Sequence, residues 1–209
     1  MPREDLPMIE TLLVAILFAL YLLLWSTKRA RLIKQVHVDP QVMGNSSSNV
    51  QIYMNRLTRV LTVYLLLLIP LHAFKIRIFG LFDRFSPLDA VYLDGVGFSM
   101  GLIGLSFCLY AQVKMGKSWR VGIDQNAKTD LITTGLYAWV RNPTYLGLFI
   151  LGSGVWLIWP TFAMFLFCGV FILFLEIQVR CEEDHLERLH PVAYGGYKEK
   201  TKRYLPFIY

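Results

Sequence analysis

The sequence predicts an all-α protein, a polytopic membrane helical bundle with about five transmembrane helices. Three observations carry this. Of the 209 residues, 55% are hydrophobic and only 17% charged, with a mean hydropathy of +0.46; a soluble domain has roughly 45–50% apolar residues. Five apolar runs approach the length of about 20 residues needed to cross a hydrocarbon core. Lys and Arg fall in the gaps between those runs. The chain carries a net charge of +6, yet its basic residues form no stripe, which argues against nucleic acid as a partner. Disorder, collagen and a disulfide scaffold are excluded, because 14% of residues are aromatic, glycine follows no period and only three cysteines are present. Cys108, Cys168 and Cys181 sit in or at the end of apolar runs, so no bridge is expected.

The first run, Met8 to Trp25, is interrupted only by Glu10 and Thr11. Lys28, Arg29, Arg31 and Lys34 follow it without a small-residue cleavage site, so it reads as a span and not a signal peptide. Gly44 to Asn49 reads as a flexible loop tip. The second run, Leu57 to about Phe79, contains Pro70 and His72, which suggests a kinked helix with Lys75 and Arg77 snorkelling outwards. The third, Leu88 to Val113, carries Gly95, Gly97, Gly101 and Gly104, a spacing that lets a neighbouring helix approach closely. Pro160 alone separates the fourth run, Pro143 to Trp159, from the fifth, Thr161 to Val179, and implies a tight antiparallel hairpin.

Orientation follows from where the cations collect. Six Lys/Arg lie in Ser26 to Arg59, five in Lys114 to Arg141 and six from Arg180 onward, against four in the N-terminal stub and the Lys75 to Asp89 region together. This places the N-terminus outside and the C-terminus in the cytosol, which requires an odd number of spans. The 209 residues read as one membrane domain.

Two segments carry candidate chemistry. Asn142 followed by Pro143 has the form of a helix start, with asparagine as N-cap and proline in the first turn. It sets a helix N-terminus beside Arg141, a pairing that suits a carboxylate or phosphate. Arg141 as a positive-inside anchor fits equally, and Tyr137, Trp139 and Tyr145 fit an interfacial aromatic belt. The fifth span runs on into Gln178-Val-Arg180-Cys-Glu182-Glu183-Asp184-His185. At about 100° per residue, Glu176, Arg180, Glu183 and Glu187 share one face, while Glu182 and His185 turn toward Gln178. Asp184 and Glu187 read as a solvated stem, and Glu176 as the ion-pair partner of Arg180 at i+4. The four histidines show no metal-ligand spacing, so no metal is expected. Neither a Gly-rich phosphate loop after a strand nor a Gly-x-Ser-x-Gly nucleophile motif is present.

The block Leu131-Ile-Thr-Thr-Gly135-Leu-Tyr137-Ala-Trp-Val-Arg141-Asn142-Pro143-Thr-Tyr145-Leu-Gly147, then Glu182-Glu183, Tyr194-Gly-Gly-Tyr197 and Arg203-Tyr-Leu-Pro206-Phe-Ile, resembles the isoprenylcysteine carboxyl methyltransferase family, whose core the phospholipid methyltransferases share. The likeness runs from about Met115 to the end of the chain. It implies a cytosolic cofactor site for S-adenosylmethionine in residues 114–209, with 1–113 supplying the first three spans. Carried over by position, Leu131, Ile132, Tyr137, Asn142, Pro143, Thr144 and Tyr145 would line the cofactor site, with Glu182 as its acidic anchor. Arg141 would lie near the cofactor or substrate carboxylate, and Glu183 would be the second catalytic candidate. Gln178 and Arg180 fall where substrate binding is expected. Three departures stand out: Asn142 replaces a histidine, Pro191 a glycine, and Gln178 a substrate-binding arginine.

The resemblance implies methylation of the carboxylate of a prenylated cysteine or a similar lipid-linked acceptor drawn from the bilayer. An ionised carboxylate needs alignment and desolvation more than a base. A phospholipid amine as acceptor would have to lose a proton, and Glu183 or Tyr145 would assist. A membrane sterol or enone reductase using NADPH shares the fold and tail, but should carry more basic residues for the 2′-phosphate. A non-catalytic lipid-binding protein is the third reading. The implied membrane is the endoplasmic reticulum for a eukaryotic source and the cytoplasmic membrane for a bacterial one.

Overall fold

The computed structural model describes residues 6–46, 48–76, 78, 80–124 and 129–204. Among them, six α-helices carry the fold: α1 (Leu6–Val36), α2 (Asn49–Ala73), α3 (Val91–Met115), α4 (Pro143–Ile158), α5 (Phe162–Leu189) and α6 (Pro191–Lys200). Helices α1, α2, α3 and α5 are long and apolar enough to cross a membrane, and large apolar side chains such as Leu23, Val60 and Leu173 stay exposed on them. This is the inverted surface of an integral membrane protein. The fourth expected span is shorter: α4 has 16 residues, which rise about 24 Å at 1.5 Å per residue, below the ~30 Å of a bilayer core.

Boundaries shift where tertiary contacts overrule hydropathy. Helix α1 continues past Trp25, carrying its basic cluster on helical turns, and α2 starts eight residues before Leu57. Pro70 is accommodated within α2, which ends at Ala73 and not near Phe79; Lys75 follows at φ +53°. Arg77 and Phe79 lie outside the described residues. The expected flexible tip is instead a 3₁₀ turn, Met43–Asn45, with Met43 buried. Backbone bonds hold it, since the N–H groups of Val42 and Met43 both donate to the Val121 carbonyl, at 3.2 and 3.1 Å. Ser47 lies outside the described residues.

Helices α3 and α4 pack backbone to backbone in antiparallel register. A Cβ on Gly104 would strike the carbonyl of Gly147, one on Gly97 the carbonyl of Gly154, and one on Gly101 the side chain of Leu17 on α1. Small residues permit this approach, and van der Waals contact sustains it in lipid, where no hydrophobic force draws helices together. Gly95 departs from the expected set: nothing lies within 4 Å of the position its Cβ would take.

At the end of the bundle formed by the start of α1 and the end of α4, Glu10 is buried and receives Arg84 Nη1 at 2.9 and 2.8 Å, with His72 Nε2 at 3.0 Å. The His72 ring packs at a 36° tilt against Trp159, centroids 4.4 Å apart. A charge inside a bundle needs such partners, and these three tie α1, α2 and the α2–α3 connection together. The α4–α5 hairpin closes as Pro160 implies, with Thr161 Oγ1 accepting from Met164 N–H at 3.3 Å as the α5 cap.

The packing predicts opposite outcomes for two alanine substitutions in one helix. Gly104→Ala forces α3 from α4 and lowers the thermal midpoint in detergent by several degrees, an overpacking cost of about 1–3 kcal/mol. Gly95→Ala, with open space around it, leaves the midpoint unchanged or raises it through helix propensity. Differential scanning fluorimetry on both variants checks this.

Candidate functional site

The site is built where the start of α4, the end of α5 and the C-terminal segment converge. The 3₁₀ turn Gly135–Ala138 delivers the chain to Pro143, and the tail pairs alongside it: Arg141 N–H donates to Lys202 O at 2.8 Å and Asn142 N–H to Arg203 O at 3.2 Å. Tyr197 on α6 donates its hydroxyl to Tyr137 O at 2.6 Å. Burial pushes the Tyr197 phenol up to about 12. Burial also pushes up the Tyr137 phenol, with the Thr144 hydrogen bond offsetting part of the effect. Both hydroxyls therefore remain protonated donors.

Glu183 is the hub. Its Oε1 accepts from Arg141 Nε at 3.1 Å and Asn142 Nδ2 at 2.9 Å, and its Oε2 from Arg203 Nε at 3.1 Å and Nη2 at 2.8 Å. The carboxylate is nearly inaccessible, and the two guanidiniums are 9% and 16% exposed. Arg141 Nη1 also donates to the carbonyls of Lys198 and Thr201, which close the end of α6. The side chain of Asn142, expected to cap α4, makes no cap bond. It turns to Glu183 because a buried carboxylate is the stronger acceptor.

One residue earlier on the helix, Glu182 points elsewhere. Its Oε1 accepts from Gln178 Nε2 at 2.9 Å and from the Tyr145 hydroxyl. Glu182 lines a cavity of about 270 Å³ whose polar end is made by Tyr137, the run from Arg141 to Tyr145, Gln178 and Arg120. The other walls are mainly apolar, with Val14 and Leu17 from α1, Leu61 and Leu65 from α2 beside Thr58 and Thr62, and Phe171 and Phe174 from α5. The volume lies near the lower end of the roughly 300–1,000 Å³ of small-molecule sites. One chamber thus joins a hydrogen-bonding end to a greasy one.

Several expected residues stand off this wall. Leu131 and Ile132 are half-buried in the preceding loop, which His190 Nε2 pins through Thr129 O at 2.9 Å. Arg180 is exposed and pairs with Glu176 at 3.2 Å, as the i+4 spacing suggests. Glu183 lies behind the wall. Sequence reasoning gave no site role to Arg120, Arg203 or Gln51. An amide inside the first turns of α2 was the available signal for Gln51; Arg203 opened the tail motif without being assigned a role, and Arg120 carried no signal beyond positive charge.

The hub predicts a stability effect. Glu183→Gln leaves two buried guanidiniums without a counter-charge, a loss of about 3–5 kcal/mol, or roughly 10 °C in thermal midpoint for a chain of this size. Glu187→Gln, which breaks the exposed pair with Lys198, changes it by under about 3 °C. Thermal unfolding in the same detergent compares the two.

The chain is similar in sequence and fold to known proteins. Residues 94–192 match the profile of the phospholipid methyltransferase (PEMT) family. The protein-S-isoprenylcysteine O-methyltransferase of Schizosaccharomyces pombe is 32% identical over 101 residues, covering 47% of this chain and 43% of that protein. The Xenopus laevis protein of the same name is 30% identical over 129 residues, 56% of this chain and 42% of its own length. The Homo sapiens protein is 35% identical over 94 residues, covering 40% and 31%. The chain spans less than half the length of these curated relatives. A solved structure of the eukaryotic intramembrane Ras methyltransferase ICMT aligns with a TM-score of 0.52 at 24% identity, over 59% of this chain and 46% of that one, a likeness of fold. From α3 to the head of α6 the chain matches the phospholipid methyltransferase family, and its likeness to the isoprenylcysteine carboxyl methyltransferases, drawn first from motifs, is borne out by relatives that carry that name.

Proposed function

We propose that the chain is an S-adenosylmethionine-dependent membrane methyltransferase that esterifies the carboxylate of a lipid-linked acceptor of the isoprenylcysteine kind. The observation that carries the reading is the two-part cavity, in which Glu182, Gln178 and Tyr145 face one end and helix-borne aliphatic and aromatic side chains the other. A nucleoside with an amino-acid arm suits the polar end, because Glu182 offers a carboxylate oxygen for a cationic or hydroxyl donor while Tyr137 and Gln178 offer hydrogen-bonding groups. A prenyl or acyl chain suits the apolar end. Leu131, Ile132 and Arg180 enter this reading only as groups that support the loop and helix around the site.

When bound, S-adenosylmethionine would supply a methyl group on a positively charged sulfur: an O–C bond to the acceptor carboxylate would form as the C–S bond breaks and neutral S-adenosylhomocysteine leaves, with no proton having to move. The protein's part is alignment and exclusion of water. Arg141 fixes the start of α4 and the tail in one register, and the walls of α1, α2 and α5 keep the dielectric low, which strengthens attraction between a cationic donor and an anionic acceptor. With α4 as a short fifth crossing antiparallel to α3, the charge asymmetry of the loops supports an N-terminus outside and a cytosolic C-terminus, so that a water-soluble cofactor enters from the cytosol and the acceptor from the bilayer.

The match to the phospholipid methyltransferase profile favours one second reading, an amine acceptor. That chemistry requires a base, and of the two candidates Glu183 is engaged by two arginines while the Tyr145 hydroxyl is a donor to Glu182. The carboxylate acceptor therefore suits the site better.

Thermal stability with and without S-adenosylhomocysteine, beside NADPH, tests the reading on wild type and Glu182→Gln. A ligand at 100 times its Kd stabilises by about 2.7 kcal/mol, or about 5–10 °C here. We expect that shift with S-adenosylhomocysteine only, and its loss in Glu182→Gln. A shift with NADPH alone, or none with either, would refute the proposal.

A further inference from the structure

Gln51 sits in the first turns of α2 and is 1% exposed. A buried primary amide is costly unless its donor and acceptor atoms are matched. Its Oε1 accepts from the backbone N–H of Ile123 at 3.1 Å. A backbone N–H can only donate, so Oε1 must face the loop and Nε2 must face α5. There Nε2 donates to Gln178 Oε1 at 3.1 Å, which turns the Gln178 amide so that its own Nε2 donates to Glu182 Oε1 at 2.9 Å. Tyr145 donates to the same oxygen. The polarity of two side-chain amides is thereby set by one backbone N–H, and both donors to Glu182 meet the same oxygen of a carboxylate that lines the cavity.

The loop that supplies this N–H is itself fixed. Val121 N–H donates to Pro40 O at 2.8 Å and Val121 O accepts from Val42 and Met43. Gly122 adopts φ +93°, and a Cβ there would lie 2.8 Å from Met43 Cβ and 2.9 Å from Gln51 Oε1. Only glycine brings the loop this close to α2 without strain. Gln178 and Glu182 lie on the cavity wall, whereas Gln51 lies behind it.

We propose that Gln51 is a positioning residue of the cofactor site, orienting Gln178 so that the Glu182 carboxylate is presented to the ligand. The inference rests on the reading of the cavity as an S-adenosylmethionine site. It also makes α2 and the loop after α3, which lie outside the Leu131–Tyr145 motif block and the Glu182-Glu183 pair, part of the ligand-binding apparatus.

Two substitutions separate positioning from packing. Gln51→Leu removes both links of the chain while filling the space. Gln51→Glu keeps an acceptor for Ile123 N–H, but the introduced carboxylate cannot donate; it draws the Gln178 amino group and turns the Gln178 oxygen against Glu182. A purely structural role, docking the loop on α2, would survive Gln51→Glu. Isothermal titration of S-adenosylhomocysteine into detergent-purified protein, with the thermal midpoint of each ligand-free variant as the folding control, reads the difference. We expect wild type to bind and both variants to bind about tenfold more weakly, the scale of one lost buried hydrogen bond, with the larger loss in Gln51→Glu. If one variant does not fold, the other carries the comparison. Wild-type affinity in a folded Gln51→Glu or Gln51→Leu variant would overturn the proposal alone. Absence of binding by wild type would overturn the reading of the site, and the proposal with it.

Discussion

The arrangement depends on where a buried negative charge can be neutralised. Glu183 lies at the point where α4, α5 and the C-terminal segment meet, and its two oxygens take four donors from Arg141, Asn142 and Arg203. Each donor comes from a chain segment that hydropathy alone would leave free to move: the entrance to α4 and the tail after α6. A carboxylate in a low-dielectric setting tolerates little departure from this geometry, because losing one partner exposes an uncompensated charge. Such a cluster contributes less to net stability than to the uniqueness of the packing, and here it sets the register of the tail against Trp139 to Asn142.

From that anchor the division of labour on α5 follows. Adjacent residues on a helix point about 100° apart, so with Glu183 held by the tail, Glu182 is directed to the cavity. Two neighbouring glutamates thus take separate positions, one tying segments together and one lining the cavity. The Gln51–Gln178 link continues from the second across to α2. Helix α4 is held against α3 by antiparallel glycine contacts and reaches α5 through the Tyr145 bond to Glu182. The core of the bundle and the polar end of the cavity are therefore one mechanical unit.

Much of this was legible in the sequence, and its limits have physical causes. Apolar runs located every long helix, because in lipid the backbone must satisfy itself and helices are the economical solution. Gly97, Gly101 and Gly104 announced close packing, while Gly95 did not follow, since spacing cannot say which glycine meets a neighbour. The span beginning at Leu57 was read eight residues late: Asn49 to Arg56 alternates polar and apolar residues too closely to extend the apolar run, yet is helical and docks on the loop at Val121 to Ile123. Asn142 fits an N-cap by type and position, but the competing acceptor is 41 residues away in the chain. Gln51 and Gln178 are 127 residues apart, a separation at which periodicity carries no information. The stretch from Leu205 onward, including the Pro206-Phe-Ile motif, lies outside the described residues.

The central claim is that a carboxylate oxygen of a lipid-linked acceptor receives the methyl group. The most direct measurement incubates membranes containing the protein with S-adenosylmethionine labelled in the methyl group, together with N-acetyl-S-farnesylcysteine or phosphatidylethanolamine, and treats the extracted lipid with alkali. A methyl ester releases its label as volatile methanol, whereas an N-methyl amine retains it. The account predicts alkali-labile label on the farnesylcysteine. Alkali-stable label on the phospholipid, with none on the farnesylcysteine, would contradict it.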